Sequence, residues 1–151
     1  MIWMLIAIII VIVDQATKLL IVNSIDYGNK ITLINKLFYL TNVENTGAAW
    51  SILENGRYFF ILMAMLVSSL IIYLIFKLNG NLIKTALTFF LGGAVGNLID
   101  RVTKGAVTDF FGILIGSYQF PVFNVADVFI VCGTAILCYY ILFANVKQEF
   151  S

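Results

Sequence analysis

Asp14, Asp100, Asp109 and Asp127 are the side chains from which chemistry in this chain would start. Each lies at or near the end of a long apolar stretch. There an ionisable group costs roughly 2.5–3.5 kcal/mol on insertion scales, so each one needs a reason. Two carboxylates held close together cannot both ionise; one keeps a proton and its pKa rises. The ionised partner can then take a proton from water while the protonated one polarises a peptide carbonyl. That is aspartic-peptidase chemistry, and it requires neither His, Cys nor metal. The composition agrees, because the 151 residues include no His. Ser-His-Asp and Cys-His triads, His-ligated zinc and an imidazole base are thereby excluded. Cys132 and Cys138 both fall inside one apolar run and read as packing thiols, not as a disulfide or a metal pair. No metal or cofactor is expected.

The four carboxylates are not equivalent. Asp109 stands between Thr108 and Phe110-Phe111, with no Lys or Arg within four positions and no helix to cap, which makes it the strongest candidate for a functional group. Asn124 and Asp127 follow Pro121 with the spacing of an N-cap and its third helical residue. Taken alone, ordinary helix-start chemistry accounts for them better than catalysis does. Asp14 and Lys18 are four apart on one helical face, the pattern of a neutralised structural pair. Asn97 and Asp100, three apart and followed by Arg101, suit a polar network at a helix end at least as well as a chemical role. Gly92 and Gly96 carry the small-xxx-small spacing that lets helices approach closely.

The elements that must position these groups belong to a membrane. Hydrophobic residues make up 62% of the chain and charged residues 11%, against about 25% charged in ordinary soluble domains, and the mean hydropathy is +1.02. A net charge of +1 without a basic run gives no sign of nucleic-acid binding. Spanning helices are expected over 2–22, 58–76, 82–99 and 128–146, forming one all-α integral membrane domain with both termini on the same side. The first stretch has no basic leader and no small-residue cleavage site, so it reads as a retained helix. The connection 23–56 places Ile31, Leu33, Leu37, Tyr39, Thr41 and Val43 at two-residue spacing around Asn35-Lys36, predicting an amphipathic β-hairpin at the membrane surface. The connection 102–123, uncharged from Phe110 onward and interrupted by Gly112, Gly116 and Pro121, reads as a partly embedded loop. Both connections and all four aspartates then share one rim. Lys18, Lys30, Lys36, Arg57, Arg101 and Lys104 lie on that side against Lys77, Lys84 and Lys147 on the other. The positive-inside rule would accordingly put the termini outside.

Five motifs carry a resemblance. DQATK (14–18), NTGAAW (45–50), GAVGNLIDR (93–101), GAVTDF (105–110) and FNVAD (123–127) resemble, in order, those of the lipoprotein signal peptidase (signal peptidase II) family of intramembrane aspartic peptidases. The likeness covers nearly the whole chain, and GNLIDR followed by VTDF and FNVAD is highly specific. The resemblance implies a bacterial plasma-membrane enzyme that removes the signal peptide of prolipoproteins just before a diacylglyceryl-modified cysteine. Asp109 and Asp127 match the catalytic pair. Asp14, Lys18, Asn45, Gly47, Asn97, Asp100, Arg101 and Asn124 match supporting or substrate-binding positions. It also implies cytoplasmic termini with the site near the outer surface, contrary to the Lys/Arg count. The hairpin becomes a cradle against the membrane, membrane lipid a partner, and a monomer suffices.

Two other readings compete. A small proton-coupled transporter would explain intramembrane aspartates, but these gather at one rim instead of stepping through the bilayer. A non-catalytic scaffold would make them structural only.

Overall fold

The computed structural model describes residues 1–47 and 56–143. Among these, four helices are long and apolar enough to cross a membrane: α1 (Ile2–Ser24), α2 (Arg57–Lys77), α3 (Asn81–Thr103) and α4 (Val125–Phe143). Residues 144–146 of the fourth expected span, and Ala48 to Trp50 of the NTGAAW motif, lie outside the described residues. α3 is the centre of the bundle and touches each of the other three helices. Half of its most apolar stretch is buried, against about a fifth in the others, which turn Leu19, Leu62, Leu66 and Val131 outward. A helix bundle facing lipid inverts nothing; it simply leaves its outer apolar residues for acyl chains to cover.

Small residues let α3 take that position. Gly92 accepts the side chain of Ile10, and a Cβ on Gly96 would lie 2.6 Å from Oδ2 of Asp14, so the Gly92–Gly96 spacing does pack α3 against α1. Gly93, on the next face, receives the backbone of α4 at Ala126, and a Cβ on Gly133 of α4 would lie 2.7 Å from the carbonyl oxygen of Ala86. Gly93→Ala therefore drives a methyl group into the Ala126 carbonyl and pushes the start of α4 away. We expect a loss of about 1–3 kcal/mol, read as a lower unfolding temperature in detergent. An unchanged melt would show that α4 does not depend on this contact.

Outside the helices, the described residues form a four-stranded antiparallel sheet in sequential order: β1 (Lys30–Ile34), β2 (Phe38–Asn45), β3 (Val107–Ile115) and β4 (Tyr118–Gln119). The hairpin expected around Asn35-Lys36 is present, with Lys30 opposite Thr41 and Thr32 opposite Tyr39. The connection between α3 and α4 is more regular than the loop expected of it. β3 pairs with β2, Tyr39 opposite Gly112 and Val43 opposite Asp109. The reason lies in the residues between its glycines: Val107, Phe110 and Phe111 fill a pleated, half-buried surface, and Phe110 packs with Ile21 and Ile25 at the end of α1. Gly112 does not break the strand; the ring of Tyr39 lies where its Cβ would be. The sheet thus fastens the chain bearing Asp109 to the ends of α1, α3 and α4.

Candidate active site

The polar groups meet where the sheet joins the helix ends. Lys18, 1% exposed, reaches Asp14 at 2.9 Å and Asp100 at 3.1 Å, and donates to Oδ1 of Asn97 at 2.9 Å. Lys104 joins Asp100 from the other side at 3.3 Å. Asp14 also accepts from the backbone N–H of Ala126 at 2.9 Å, so a carboxylate from α1 caps the N-terminus of α4. Asp100 accepts from the backbone N–H of Thr108 at 3.1 Å and ties the end of α3 to β3. The structural pair expected of Asp14 and Lys18 is present, and it joins Asn97 and Asp100 of the expected helix-end network through Lys18, while Arg101 stays outside this cluster and bonds the Gly47 carbonyl.

Asn124 links that cluster to the other two aspartates. Its Nδ2 donates to Oδ1 of Asp109 at 2.6 Å, while its Oδ1 accepts from the backbone N–H of Asp127 at 2.9 Å. Asp127 answers by accepting from the backbone N–H of Asn124 at 3.1 Å, a reciprocal cap. Asn97 donates to the other oxygen of Asp127 at 2.7 Å, and Asn45 donates to Oδ2 of Asp109 at 3.0 Å. The helix-start reading of Asn124 and Asp127 is therefore correct and incomplete: the cap also presents the Asp127 carboxyl beside that of Asp109. Burial above all, then the neighbouring Asp127 carboxylate, pushes Asp109 up to about 7, with the Asn45 and Asn124 donors opposing.

Both carboxyls open onto a cavity of about 590 Å³. Asn45, Gly47, Asn97 and Arg101 share its wall with them, and Val128, Val131, Phe120 and Phe123 supply apolar lining. Asp14, Lys18, Asp100 and Asn124 do not reach the cavity; they stand behind it and hold the wall residues. The positions singled out in the sequence thus divide into a wall and its backing. Such a cavity can take an apolar segment and present one peptide bond to a pair of acids sharing a proton. Cys132 also lines it, and both thiols are free and face outward. This corrects the expectation of packed thiols, since α4 turns that side away from α3.

Gln15 and Arg57, to which the sequence pattern assigns no role at the site, contribute as well. Gln15 donates to Asp14, to the Gly96 carbonyl and to Asp100, bridging two acids. Arg57, the first residue of α2, donates to the carbonyls of Arg101 and Val102 at 2.9 and 2.7 Å and caps the end of α3. Arg101 in turn donates to the Gly47 carbonyl at 3.2 Å.

The profile of the family described as signal peptidase (SPase) II, Peptidase_A8, matches residues 6–143. The chain belongs to the signal peptidase II family. It is 41% identical over 151 residues to a lipoprotein signal peptidase of Listeria monocytogenes serotype 4b (strain F2365), and 38% identical to that of Bacillus subtilis (strain 168). In both cases 99% of this chain and 98% of the relative are covered. A solved bacterial membrane enzyme superposes with a TM-score of 0.88 at 31% identity, covering 99% of this chain and 92% of the other. A second gives 0.84 at 32% identity, covering 95% and 94%. The family is one of proteases, and a membrane-spanning bacterial member is a plasma-membrane protein. The transporter reading is left without support.

Proposed function

We propose that this chain is an aspartic endopeptidase that removes the signal peptide from prolipoproteins before a diacylglyceryl-modified cysteine, with Asp109 and Asp127 as the catalytic pair. The observation that carries the reading is that two carboxyls from separate elements, β3 and the first turn of α4, converge through Asn124 on one cavity wall. One carboxylate takes a proton from water, whose oxygen adds to the scissile carbonyl carbon while the other acid protonates the carbonyl oxygen. The tetrahedral diol then collapses, the C–N bond breaks, and the amine of the lipidated cysteine leaves with a proton. Asn45, Asn97 and Arg101 border the space where the substrate backbone would lie. The apolar lining suits the signal peptide, and Val131, 66% exposed on the outer side of α4, suits acyl chains that stay in the bilayer.

The proposed orientation puts both termini in the cytoplasm and the sheet on the extracytoplasmic side as a cradle, with one subunit sufficient. The basic residues that argue otherwise are mostly engaged within the fold. Lys18 and Lys104 pair with Asp14 and Asp100, while Arg57 and Arg101 bond backbone carbonyls. That leaves Lys30 and Lys36 against Lys77, Lys84 and Lys147, and the positive-inside count no longer opposes cytoplasmic termini.

Purified protein in detergent is expected to cut a diacylglyceryl-modified prolipoprotein before the lipidated cysteine and to leave the unlipidated form intact. Absence of cleavage by folded protein would overturn the proposal. Because the pair works with one proton, the rate is expected to fall about tenfold per pH unit above roughly 7, as the proton held at Asp109 is lost. A profile flat to pH 9 would exclude that proton from the mechanism.

A further inference from the structure

Away from the aspartates, the hairpin carries a second cavity, of about 210 Å³, lined by Lys30, Thr32, Asn35, Lys36, Phe38 and Tyr39 among others. Two features set it apart. Neither lysine pairs with a carboxylate among the described residues, where the ion pairs belong to Lys18 and Lys104; Lys30 instead lies over the Tyr39 ring, 4.7 Å from its centroid. Lys36 sits at φ 56, in the left-handed region, at the third position of a turn closed by the Leu37 N–H on the Ile34 carbonyl. Glycine or asparagine is the favoured residue there, and a lysine is uncommon. A backbone outlier of this kind points to a use for the side chain it carries.

The surroundings indicate what two unpaired cations would meet. Five residues separate the end of α1 from Lys30, so the hairpin cannot stand far from the level at which α1 leaves the bilayer. Ile34, in the cavity's lining, is an exposed large apolar residue; elsewhere on the hairpin and its connection to α1 so are Tyr27, Ile31, Leu33 and Leu37, and Leu19 and Leu20 of α1 are exposed as well. Apolar residues with interspersed lysines, next to a spanning helix, form a surface that lies in the headgroup layer. We propose that this cavity binds the phosphate of an anionic phospholipid headgroup, with Lys30 and Lys36 supplying the charge and Thr32 and Asn35 the neutral hydrogen bonds. The site is separate from the peptidase cavity and does not depend on how that cavity is used.

The test uses the full chain in a neutral detergent, titrated with dihexanoyl-phosphatidylglycerol or dihexanoyl-phosphatidylcholine, with bound lipid counted by native mass spectrometry. The wild type is expected to prefer the anionic lipid. Each of Lys30→Gln and Lys36→Asn is expected to weaken that binding roughly fivefold, and the pair on the order of 25-fold, with Lys77→Gln at the other end of the bundle as control. Lys36→Asn places a residue suited to the left-handed turn, so its fold is retained or improved while lipid binding weakens. Wild-type affinity in the double variant, equal binding of the zwitterionic lipid, or full competition by inorganic phosphate at the same concentration would each overturn the proposal.

Discussion

Asp109→Asn and Asp127→Asn will each abolish prolipoprotein cleavage, by roughly 10³-fold or more, in protein that remains folded. Asparagine keeps the shape of the side chain but neither takes a proton from water nor gives one to a carbonyl. The two variants differ in what else they disturb. Asp127 also accepts from the Asn124 N–H and from Asn97; an asparagine oxygen keeps one of these bonds and its amide nitrogen cannot accept the other, so the replacement should cost about 1 kcal/mol as well. Asp109 caps nothing, and its carboxyl is held by burial at about 7, above the ordinary 3.8. A raised folded pKa means that the contribution to stability is fully present below 3.8 and is lost as pH rises through about 7. The neutral asparagine has no such loss. The difference in melting temperature, Asp109→Asn minus wild type, should therefore become more positive from pH 4 to pH 8. Full cleavage by either folded variant would remove the pair from the mechanism, and a pH-independent difference would contradict the shifted carboxyl.

What could be read from the residues alone follows the range of each physical signal. Asp14 and Lys18 share a helical face, and their pairing is visible at a spacing of four. The third partner, Asp100, is 82 positions further on, and no periodicity connects it to Lys18. Gln15 is invisible for the same reason, since its acceptors at Gly96 and Asp100 come from another helix. Lys104 was within reach: it is four residues past Asp100 on a helix that runs to Thr103, although the apolar stretch ends at Ile99. Asp109 stood out because nothing near it in sequence explains it, and its hydrogen-bond partners indeed come from Asn45 and Asn124. Gly112 misled for the converse reason. A glycine cleared for a neighbour's ring and a glycine that breaks a strand look alike until the register with Tyr39 is known.

The backing of the site should prove as sensitive as its wall, and Lys18 is the place to see it. Its ammonium has three donors, and Asp14, Asp100 and Asn97 take all three at 2.9, 3.1 and 2.9 Å. Together with Lys104 it balances the two carboxylates of the cluster. Lys18→Met leaves one negative charge uncompensated where Asp14 and Asp100 are wholly buried, and removing one member of a buried pair costs about 3–5 kcal/mol. Asn97 also loses the donor that, with Asn124, keeps its oxygen turned inward and its Nδ2 on Asp127. A shift of that amide displaces the Asp127 carboxyl, and misplacement on the order of 1 Å can cost 10²-fold in rate. Lys18→Met combined with Asp14→Asn restores the charge balance through Lys104 and Asp100, and an asparagine oxygen can still accept from the Ala126 N–H. The double variant should recover most of the melting temperature while cleavage stays depressed. Recovery of both together would show that Lys18 serves only to neutralise Asp14, and recovery of neither would mean that the cluster is held by geometry that charge balance alone cannot restore.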